Sequence, residues 1–557
     1  MPVPPTVQGY SSLTQQTRLC LENNGSGEQL LMPQTAGAST MSLTTQPNTL
    51  SASTGMHLHF YVIGNTTAGN IVITGTKADG VTAQTSITYH VPIAPQNGAG
   101  YTEFTTKETW GTVTASSIVL TTLTPSTIMV FGNWGGKYLL PISIDQEEKI
   151  THHSPQDKRG ILFKNFRVVQ LTKATDVSKL DSDLYPDSLW AYYMAIGPTS
   201  ATPATVPASP TSLLASTAIA SPMTLTTPPS APGQFLIFAI TTNTASGTIV
   251  VNGTDQYGNA YASSETITFT SAASQTVYSS RRYSIVNTGG ANQFTTTGGT
   301  SAHIVVTGVY AWTYPFTWDG INNITPYAGT LEVFNGVNGI ILPGTILSDF
   351  SLAWEKEKEI LLSTKGTAQD YLMVGDPTST TVGTNPFATL GQPTSLPYTS
   401  WPASFYIDND NGGTALTTQD GSFLKFKFNV MTGRKWNYAG DGMQRPAYIT
   451  WDAPPDYTID AEIIDINYAN YVNYFKPNVP LILSTTFQGA LLGSISSTVY
   501  FETVQIIAPC KVDTWKVDQT SNPVKGSLKL MAQYDQSNLG YAYKILVTSQ
   551  TPPTYLV

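Results

Sequence analysis

The residues whose chemistry stands out are two histidine pairs. His57 and His59 lie two apart on a probable strand, so they share one face and form a possible metal pair. No cysteine and no nearby carboxylate in the sequence completes a ligand set around them. His152 and His153 are adjacent in a polar stretch interpreted as a loop, and adjacent strand residues would point to opposite faces. We therefore predict no metal site and no cofactor.

Acidic residues supply the other candidates. Residues 408–413 (DNDNGG) resemble the start of a calcium loop, but Gln419 stands where such a loop needs its closing Glu. A Gly-rich turn is the better interpretation. A second acidic group could supply a glycosidase pair, although nothing selects two facing partners. Its members are Asp452, Asp456, Asp460, Glu462 and Asp465. Their alternation is typical of a strand with one solvent-facing or channel-facing side, so we predict no catalytic residues and no enzyme.

A run of alternating charge at 355–359 is the most concentrated polar feature. It consists of Glu355, Lys356, Glu357, Lys358 and Glu359. Such a run favours a solvated strand or hairpin with cross-strand ion pairs.

Composition narrows the class of protein. Of the 557 residues only 11% are charged, against roughly 25% in an ordinary soluble domain. Ser, Thr, Asn and Gly replace the missing ions, and they suit β-structure and surfaces buried against identical copies. The net charge of −9 and the absence of a basic patch argue against phosphate-directed nucleic-acid binding. The N-terminal residues MPVPP do not resemble a signal peptide, and no apolar run of about 18 residues exists. We expect a protein made in the cytoplasm, with no membrane segment.

A duplication divides the chain. Residues 58–75 (LHFYVIGNTTAGNIVITG) and 236–253 (LIFAITTNTASGTIVVNG) share an apolar strand, a polar turn and a β-branched strand. Short strands with regular turns predict two immunoglobulin-like β-sandwich modules, placed at 38–131 and 218–311. A Pro/Ala/Ser/Thr stretch at 198–216 is interpreted as a linker.

The remaining segments form a host domain interrupted by the modules. They are 1–37, 132–217 and 312–557. The host is predicted to be mainly β, with two helices. The first is 186–196 (PDSLWAYYMAI), with Pro at the first position and Gly-Pro as its stop, and the second is 468–475 (YANYVNYF). The fold class is therefore mainly β: a β-sandwich or barrel host with short flanking helices and two inserted sandwiches.

The order of host segments resembles the tail tube proteins of long-tailed, non-contractile bacteriophages. The matching segments are YLLPIS (138–143), the helix segment 184–197, the strand segment 347–366, the strand–helix–strand from YTIDAEI to LILSTTF, and the closing segments 504–515 and 528–549. The resemblance covers roughly two-thirds of the chain, and the two inserted modules depart from the simplest members of the family.

The resemblance implies a structural virion protein, made in the host bacterial cytoplasm and located in the phage tail. Such proteins stack as rings whose sheets join into a barrel around a channel for genome ejection. The implied partners are other copies of the chain and tail proteins such as the tape measure and the tail terminator. DNA would pass through the lumen without specific binding, along a weakly charged acidic wall. Residues 355–359 would lie near that lumen.

Two further expectations concern assembly. The host segments total 369 residues, enough for two sandwiches, so a trimer with pseudo-sixfold symmetry is one possibility and a plain hexamer the other. The Gly/Pro/Thr-rich stretch 366–404 is predicted to lack regular structure and to order against the next ring. Its candidate contact residues are Tyr371, Phe387 and Trp401. The modules are expected to project outward and to be dispensable for the tube.

Two alternatives come from other functional classes. One is a virion or cell-surface adhesin that binds glycans through its immunoglobulin-like modules. The other is a carbohydrate-active enzyme with accessory modules. The lack of a signal peptide counts against the bacterial adhesin, and the lack of a convergent acid/base pair counts against the enzyme.

Overall fold

The structure is a computed structural model of the chain. The residues it describes are 16–22, 27–47, 55–77, 82–93, 101–136, 138–140, 143–153, 169–200, 202–299, 301–319, 326–334, 339–375, 396–399, 402–409, 422–438, 446–464, 480–495, 497–518, 520, 524–535 and 539–553.

Strand β1 (Gln16–Glu22) belongs to the host, and a two-sheet sandwich, module 1, follows it. The strands of module 1 are β2 (Gln29–Ala36), β3 (Thr40–Met41), β4 (Met56–Ile63), β5 (Gly69–Thr76), β6 (Ala83–Val91), β7 (Tyr101–Thr105), β8 (Thr112–Thr121) and β9 (Thr127–Trp134). They form sheets of order β2-β9-β4-β7 and β3-β8-β5-β6. Apolar residues at every second position of β5 face the core between the sheets, so Ile71 and Ile73 are fully buried.

The chain then returns to the host. Its next elements are β10 (Tyr138–Leu140), β11 (Ser143–His153), β12 (Val169–Asp183), helix α1 (Leu189–Ala195) and β13 (Ala204–Val206). The predicted helix at 186–196 is confirmed in its central part. Gly197 follows it with φ +84°, a left-handed conformation that commonly ends a helix. All seven helical residues are buried, so the helix lies inside the host and not on its surface.

Module 2 has the same architecture as module 1. Its strands are β14 (Thr211–Ala218), β15 (Met223–Thr224), β16 (Gln234–Thr241), β17 (Gly247–Val251), β18 (Gly253–Thr254), β19 (Glu265–Phe269), β20 (Ser274–Tyr283), β21 (Ile285–Val286), β22 (Gln293–Gly298) and β23 (His303–Val309). The sheets have orders β14-β23-β16-β20 and β15-β22-β17-β19, strand for strand those of module 1, with β18–β21 added. The repeated segments found in the sequence are β4–β5 and β16–β17.

Both modules begin earlier than predicted. Strand β2 pairs with β9, and β14 pairs with β23, so the first strand of each sandwich begins before the predicted boundary at residue 38 or 218. The pairing of each first strand has two register shifts. These irregularities disturb the period-2 pattern by which a strand is read from sequence. The predicted linker 198–216 therefore contains β13 and part of β14.

The rest of the described chain is host. Its strands are β24 (Ala311–Trp318), β25 (Ala328–Phe334), β26 (Gly339–Glu355), β27 (Leu361–Ala368), β28 (Leu372–Met373), β29 (Ser404–Asn409), β30 (Phe423–Met431), β31 (Arg434–Asn437), β32 (Tyr448–Trp451), β33 (Asp456–Ile464), β34 (Leu481–Ile495), β35 (Thr498–Asp518), β36 (Lys525–Ala532) and β37 (Tyr543–Ser549). Strands β31 and β32 form a separate hairpin, and the other described host strands join one 17-stranded sheet. The prediction of a mainly β fold built from sandwiches is confirmed.

The host is itself a tandem duplication. Repeat 1 consists of β1, β11, β12 and β25–β28, and repeat 2 of β29, β30 and β33–β37, in the same chain order. The same antiparallel pairings occur in both: β1–β25 and β29–β34, β11–β12 and β30–β33, β12–β27 and β33–β36, β25–β26 and β34–β35, β26–β27 and β35–β36, β26–β28 and β35–β37.

The correspondence holds at single residues. Thr345 pairs with Gly329 as Cys510 pairs with Leu481. Strand β26 skips one residue against β27 between Leu347 and Asp349, and β35 skips one against β36 between Val512 and Thr514, which is the equivalent position. Helix α1 follows β12 as the predicted helix 468–475 would follow β33, but residues 468–475 lie outside the described part of the chain. The host therefore contains two equivalent sets of strands.

Strands β26 and β30 join the two repeats, antiparallel from Asp349↔Met431 to Glu355↔Lys425. Eight strands thus run side by side in the order β11-β12-β27-β26-β30-β33-β36-β35. We call this the eight-strand sheet. Alternate residues of its central strands, such as Phe428 and Ile459, lie in the host core, which leaves the opposite face outward.

Candidate functional site

The outward face of the eight-strand sheet carries the densest group of charged side chains. In β30 the sequence FLKFKFNVM places Phe426 and Phe428 inward and exposes Lys425 and Lys427. In β33 the sequence DYTIDAEII buries Ile459 and turns its acidic residues outward by the same alternation. The expectation that Asp456, Asp460 and Glu462 lie on the polar face of a strand is confirmed.

Register arranges these residues in rows that cross the strands. The first row is Glu355, Lys425, Glu462, Ser527 and Lys516, and the second is Ala353, Lys427, Asp460, Lys529 and Thr514. The third row, Ser351, Asn429, Thr458, Met531 and Lys511, has one charge. Neighbouring strands lie about 4.8 Å apart, so charges of opposite sign alternate over the width of one side chain.

Ion pairs link the first row. The Lys425 ammonium lies 3.6 Å from a Glu355 oxygen and 3.7 Å from a Glu462 oxygen, so it bridges two strands. Lys525 binds Glu462 at 2.9 Å, and this hydrogen bond raises the pKa of the lysine. Lys358 binds Glu355 at 2.8 Å, which lowers the pKa of that carboxyl. Each pair is exposed and therefore weak by itself.

The face is nearly balanced in charge. The first two rows hold four lysines and three carboxylates. The surface forms an open groove of about 640 Å³, lined by Glu355, Lys425, Asp460, Lys516 and their neighbours. Alternating charges at this spacing cancel beyond a few ångströms, and salt screens what remains within about 10 Å.

The predicted run 355–359 lies at one end of this face. Glu355 ends β26, and residues 356–358 form the turn to β27, with Glu357 at φ +69°. Glu359 forms an isolated bridge with Thr399. The hairpin interpretation is confirmed, but only Glu355, Lys358 and Glu359 line the groove.

The predicted inter-ring segment 366–404 is only partly described. Its first ten residues are ordered: β27 extends to Ala368, and β28 pairs with β26, so the expectation of no regular structure is wrong for that part. Tyr371 is partly buried against the host core. Phe387 and Trp401 lie outside the described residues. Tyr398 is fully buried, whereas Leu396 is 79% exposed.

His57 and His59 share a face, as predicted, but each is bound to a carboxylate from a distant segment. His57 Nε2 lies 2.8 Å from Glu332 of host strand β25, and His59 Nδ1 lies 2.7 Å from Glu28. His57 Nδ1 also lies 2.9 Å from the Thr106 carbonyl oxygen. All four side chains are buried, and the His57–Glu332 pair joins module 1 to the host. Within the described residues no group of three or more His, Cys, Asp or Glu could hold a metal ion.

Module 2 is joined to the host by a buried arginine. Arg282 donates hydrogen bonds to the Gly233 carbonyl oxygen at 2.7 Å, to the Leu492 carbonyl oxygen at 2.5 Å and to Gln550 Oε1 at 3.0 Å. Gln550 in turn donates to Glu502 at 2.9 Å. Burial raises the pKa of Glu502 to about 7. Because both modules meet the host through buried polar contacts, they are anchored and not loosely tethered.

The other site residues considered in the sequence are His152, His153 and the calcium-like stretch 408–413. His152 and His153 end strand β11, so the loop interpretation is wrong, and Asp408 lies in β29. Residues 410–421, with most of the calcium-like stretch, lie outside the described part, as does Asp465. The lysines of β30 and β36 were not among the predicted site residues, although LKFKF in β30 has the alternation of apolar and charged residues that marks them.

Comparison with known proteins adds no identification. No protein-family model matches the chain, and no curated protein matches it. Among solved structures, a chain from the structure of the infectious bursal disease virus Gt strain aligns at 9% identity over 65% of this chain and 81% of that chain. Its TM-score of 0.07 is too low to support an inference. No helix in the described residues is long and apolar enough to cross a membrane.

Proposed function

We propose that this chain is the tail tube subunit of a long-tailed bacteriophage, a structural virion protein that assembles into stacked rings around a channel for the genome. The observation that carries the proposal is the eight-strand sheet, in which two equivalent repeats already lie side by side and present one charge-balanced face. A sheet built by repetition can continue by adding further copies at its edges.

The duplication favours three chains per ring. Each chain contributes two equivalent repeats, so three chains give six repeats and pseudo-sixfold symmetry around the channel. Only the strand pairing within the repeats would follow sixfold symmetry. Module 1 follows β1 and module 2 follows β13, and both are inserted between the first and last strands of repeat 1, so the modules would follow threefold symmetry.

The groove face then lines the lumen. A DNA duplex carries one charge per about 1.7 Å of its axis and would adhere to a basic wall. Rows of alternating lysine and carboxylate present no extended positive field, because each charge is offset by its neighbour one strand away. DNA would therefore pass without specific binding. The tape measure would occupy the same channel before ejection, and the tail terminator would close the end of the tube.

Electron microscopy of the purified protein tests this proposal. We expect rings or tubes whose rotational average has six equivalent inner densities and three pairs of outer modules. Six pairs of modules in one ring would show that the ring is a hexamer and not a trimer. Protein that stays monomeric at high concentration and in the presence of tube ends from assembled particles would contradict the tail tube function itself.

A further inference from the structure

Two strand edges of the eight-strand sheet lie at its opposite ends. Strand β11 pairs with β12 along one edge, and no described strand pairs with its other edge. At the far end, β35 pairs with β36 from Cys510 to Asp518. Its pairing with β34 stops at Cys510, and no described strand pairs with the second edge over 512–518. An open edge of this length is a template for pairing with a strand of another chain.

The inside of the chain shows what such an edge can bind. The part of β26 that corresponds to 512–518 uses its second edge to pair with β30, the first strand of repeat 2. The counterpart of β30 in repeat 1 is β11, because β11 pairs with β12 as β30 pairs with β33. The open edge of β35 is therefore equivalent to the edge of β26 that binds β30, and β30 is the counterpart of β11.

We infer that β35 of one copy pairs, antiparallel, with β11 of a second copy, as β26 pairs with β30 within the chain. This inference rests on the proposed tail tube function and identifies the strands that close its ring.

The internal pairing also fixes the register. Ser351 pairs with Asn429, and their counterparts are Lys516 and Glu147. Asp349 pairs with Met431, and their counterparts are Thr514 and Lys149.

Charge agrees with this register at its centre. Glu147 of one copy would lie directly opposite Lys516 of the next, and opposite charges at paired positions stabilise a strand pair. Lys516 is exposed in the single chain and lines the groove. A pairing shifted by one residue would put Glu147 opposite an uncharged residue, Val517 or Trp515. Asp145 would lie opposite Asp518 at the turn end, which is a local cost of this register.

Charge exchange tests the register. Lys516→Glu and Glu147→Lys each place like charges opposite one another, so we expect either variant to reduce tube yield at least tenfold at low salt. The double variant Lys516→Glu/Glu147→Lys restores the opposite pair, and its yield should return to within about twofold of wild type. Lys365→Glu is the control, since this lysine is exposed on β27, away from both edges; it should assemble as wild type. Single variants that assemble normally, or a double variant that is folded and fails to assemble, would overturn the inference.

Cross-linking gives a second readout that does not depend on yield. Thr514→Cys with Lys149→Cys puts two thiols at paired positions on neighbouring copies, within the range of a disulfide. Oxidised tubes of this variant should contain covalent species up to a closed trimer, whereas wild-type tubes treated alike should not. Tubes that form without this cross-link would overturn the pairing and leave the tail tube function intact. Failure of the wild-type protein to form any ring would instead contradict the function.

Discussion

His57 and Glu332 form a buried pair at 2.8 Å although 275 residues separate them in the chain. The pair joins strand β4 of module 1 to strand β25 of the host. Glu332 also accepts a hydrogen bond from the Gly136 backbone N–H at 2.6 Å. In the aligned repeats Phe235 of module 2 occupies the position of His57, and it packs on Trp312 at 4.9 Å between ring centres. The two modules thus use equivalent positions to contact the host, one polar and one apolar.

Loss of the His57–Glu332 pair should destabilise the contact between module 1 and the host. In His57→Phe the Glu332 carboxylate stays buried with its main partner removed, which typically costs about 3–5 kcal/mol. The double variant His57→Phe/Glu332→Leu imitates the apolar seam of module 2 and should recover part of the loss. Denaturant unfolding measures both, with His90→Phe, an exposed histidine of the same module, as control. If His57→Phe is no less stable than this control, the His57–Glu332 pair does not stabilise the contact between module 1 and the host.

Arg282 should be the corresponding anchor of module 2. Arg282→Met removes its hydrogen bonds to Gly233, Leu492 and Gln550, and leaves buried acceptors unsatisfied, so we expect a loss of about 2–4 kcal/mol. Arg281→Met is the matched control, because the Arg281 guanidinium donates to the Ser263 carbonyl oxygen and lies over the Tyr261 ring, and both residues belong to its own module. Thermal unfolding and limited proteolysis compare the two variants. Equal effects would contradict the role of Arg282 in anchoring module 2 to the host.

Glu502 should make stability depend on pH. Its folded pKa is about 7 and its ordinary value is 4.5, so the folded protein keeps a proton that the unfolded chain releases above pH 4.5. Stability therefore falls as pH rises from about 4.5 to about 7, by at most about 3 kcal/mol, and the penalty stays constant above that range. Glu502→Gln should remove this component and be the more stable protein at pH 8. Unfolding curves across this range measure it, with Glu103→Gln as control. An unchanged slope in Glu502→Gln would contradict the assignment.

Removing carboxylates from the groove face should make it bind DNA. In Asp460→Asn/Glu462→Gln the lysines of β30 and β36 lose the charges that offset them, and the face becomes basic. We expect this variant to retain duplex DNA at 50 mM salt, and we expect its affinity for the duplex to fall at least tenfold at 200 mM salt. The wild type should not retain it. Asp452→Asn/Glu103→Gln makes the same change in net charge elsewhere, and retention by this control as well would show that net charge alone decides.

The sequence by itself determined what repeats over short distances. The alternation in β30 and β33 fixed which residues face outward, because side-chain direction in a strand reverses at every residue. The PDSLWAYYMAI segment fixed α1 through its apolar spacing and its Gly-Pro stop. The repeat 58–75 and 236–253 revealed the modules because its first strands, β4 and β16, lack bulges in their pairing with β9 and β23.

Only the tertiary structure decided which strands meet. The host duplication is hidden in the sequence because equivalent positions hold different residues: Thr345 against Cys510, Gly329 against Leu481. Equivalent backbone pairing needs only an extended chain at each place, and many side chains satisfy that. The same holds for Lys425 between Glu355 and Glu462, and for His57 opposite Glu332. Such contacts depend on the register between segments far apart in the chain, and local periodicity carries no information about it.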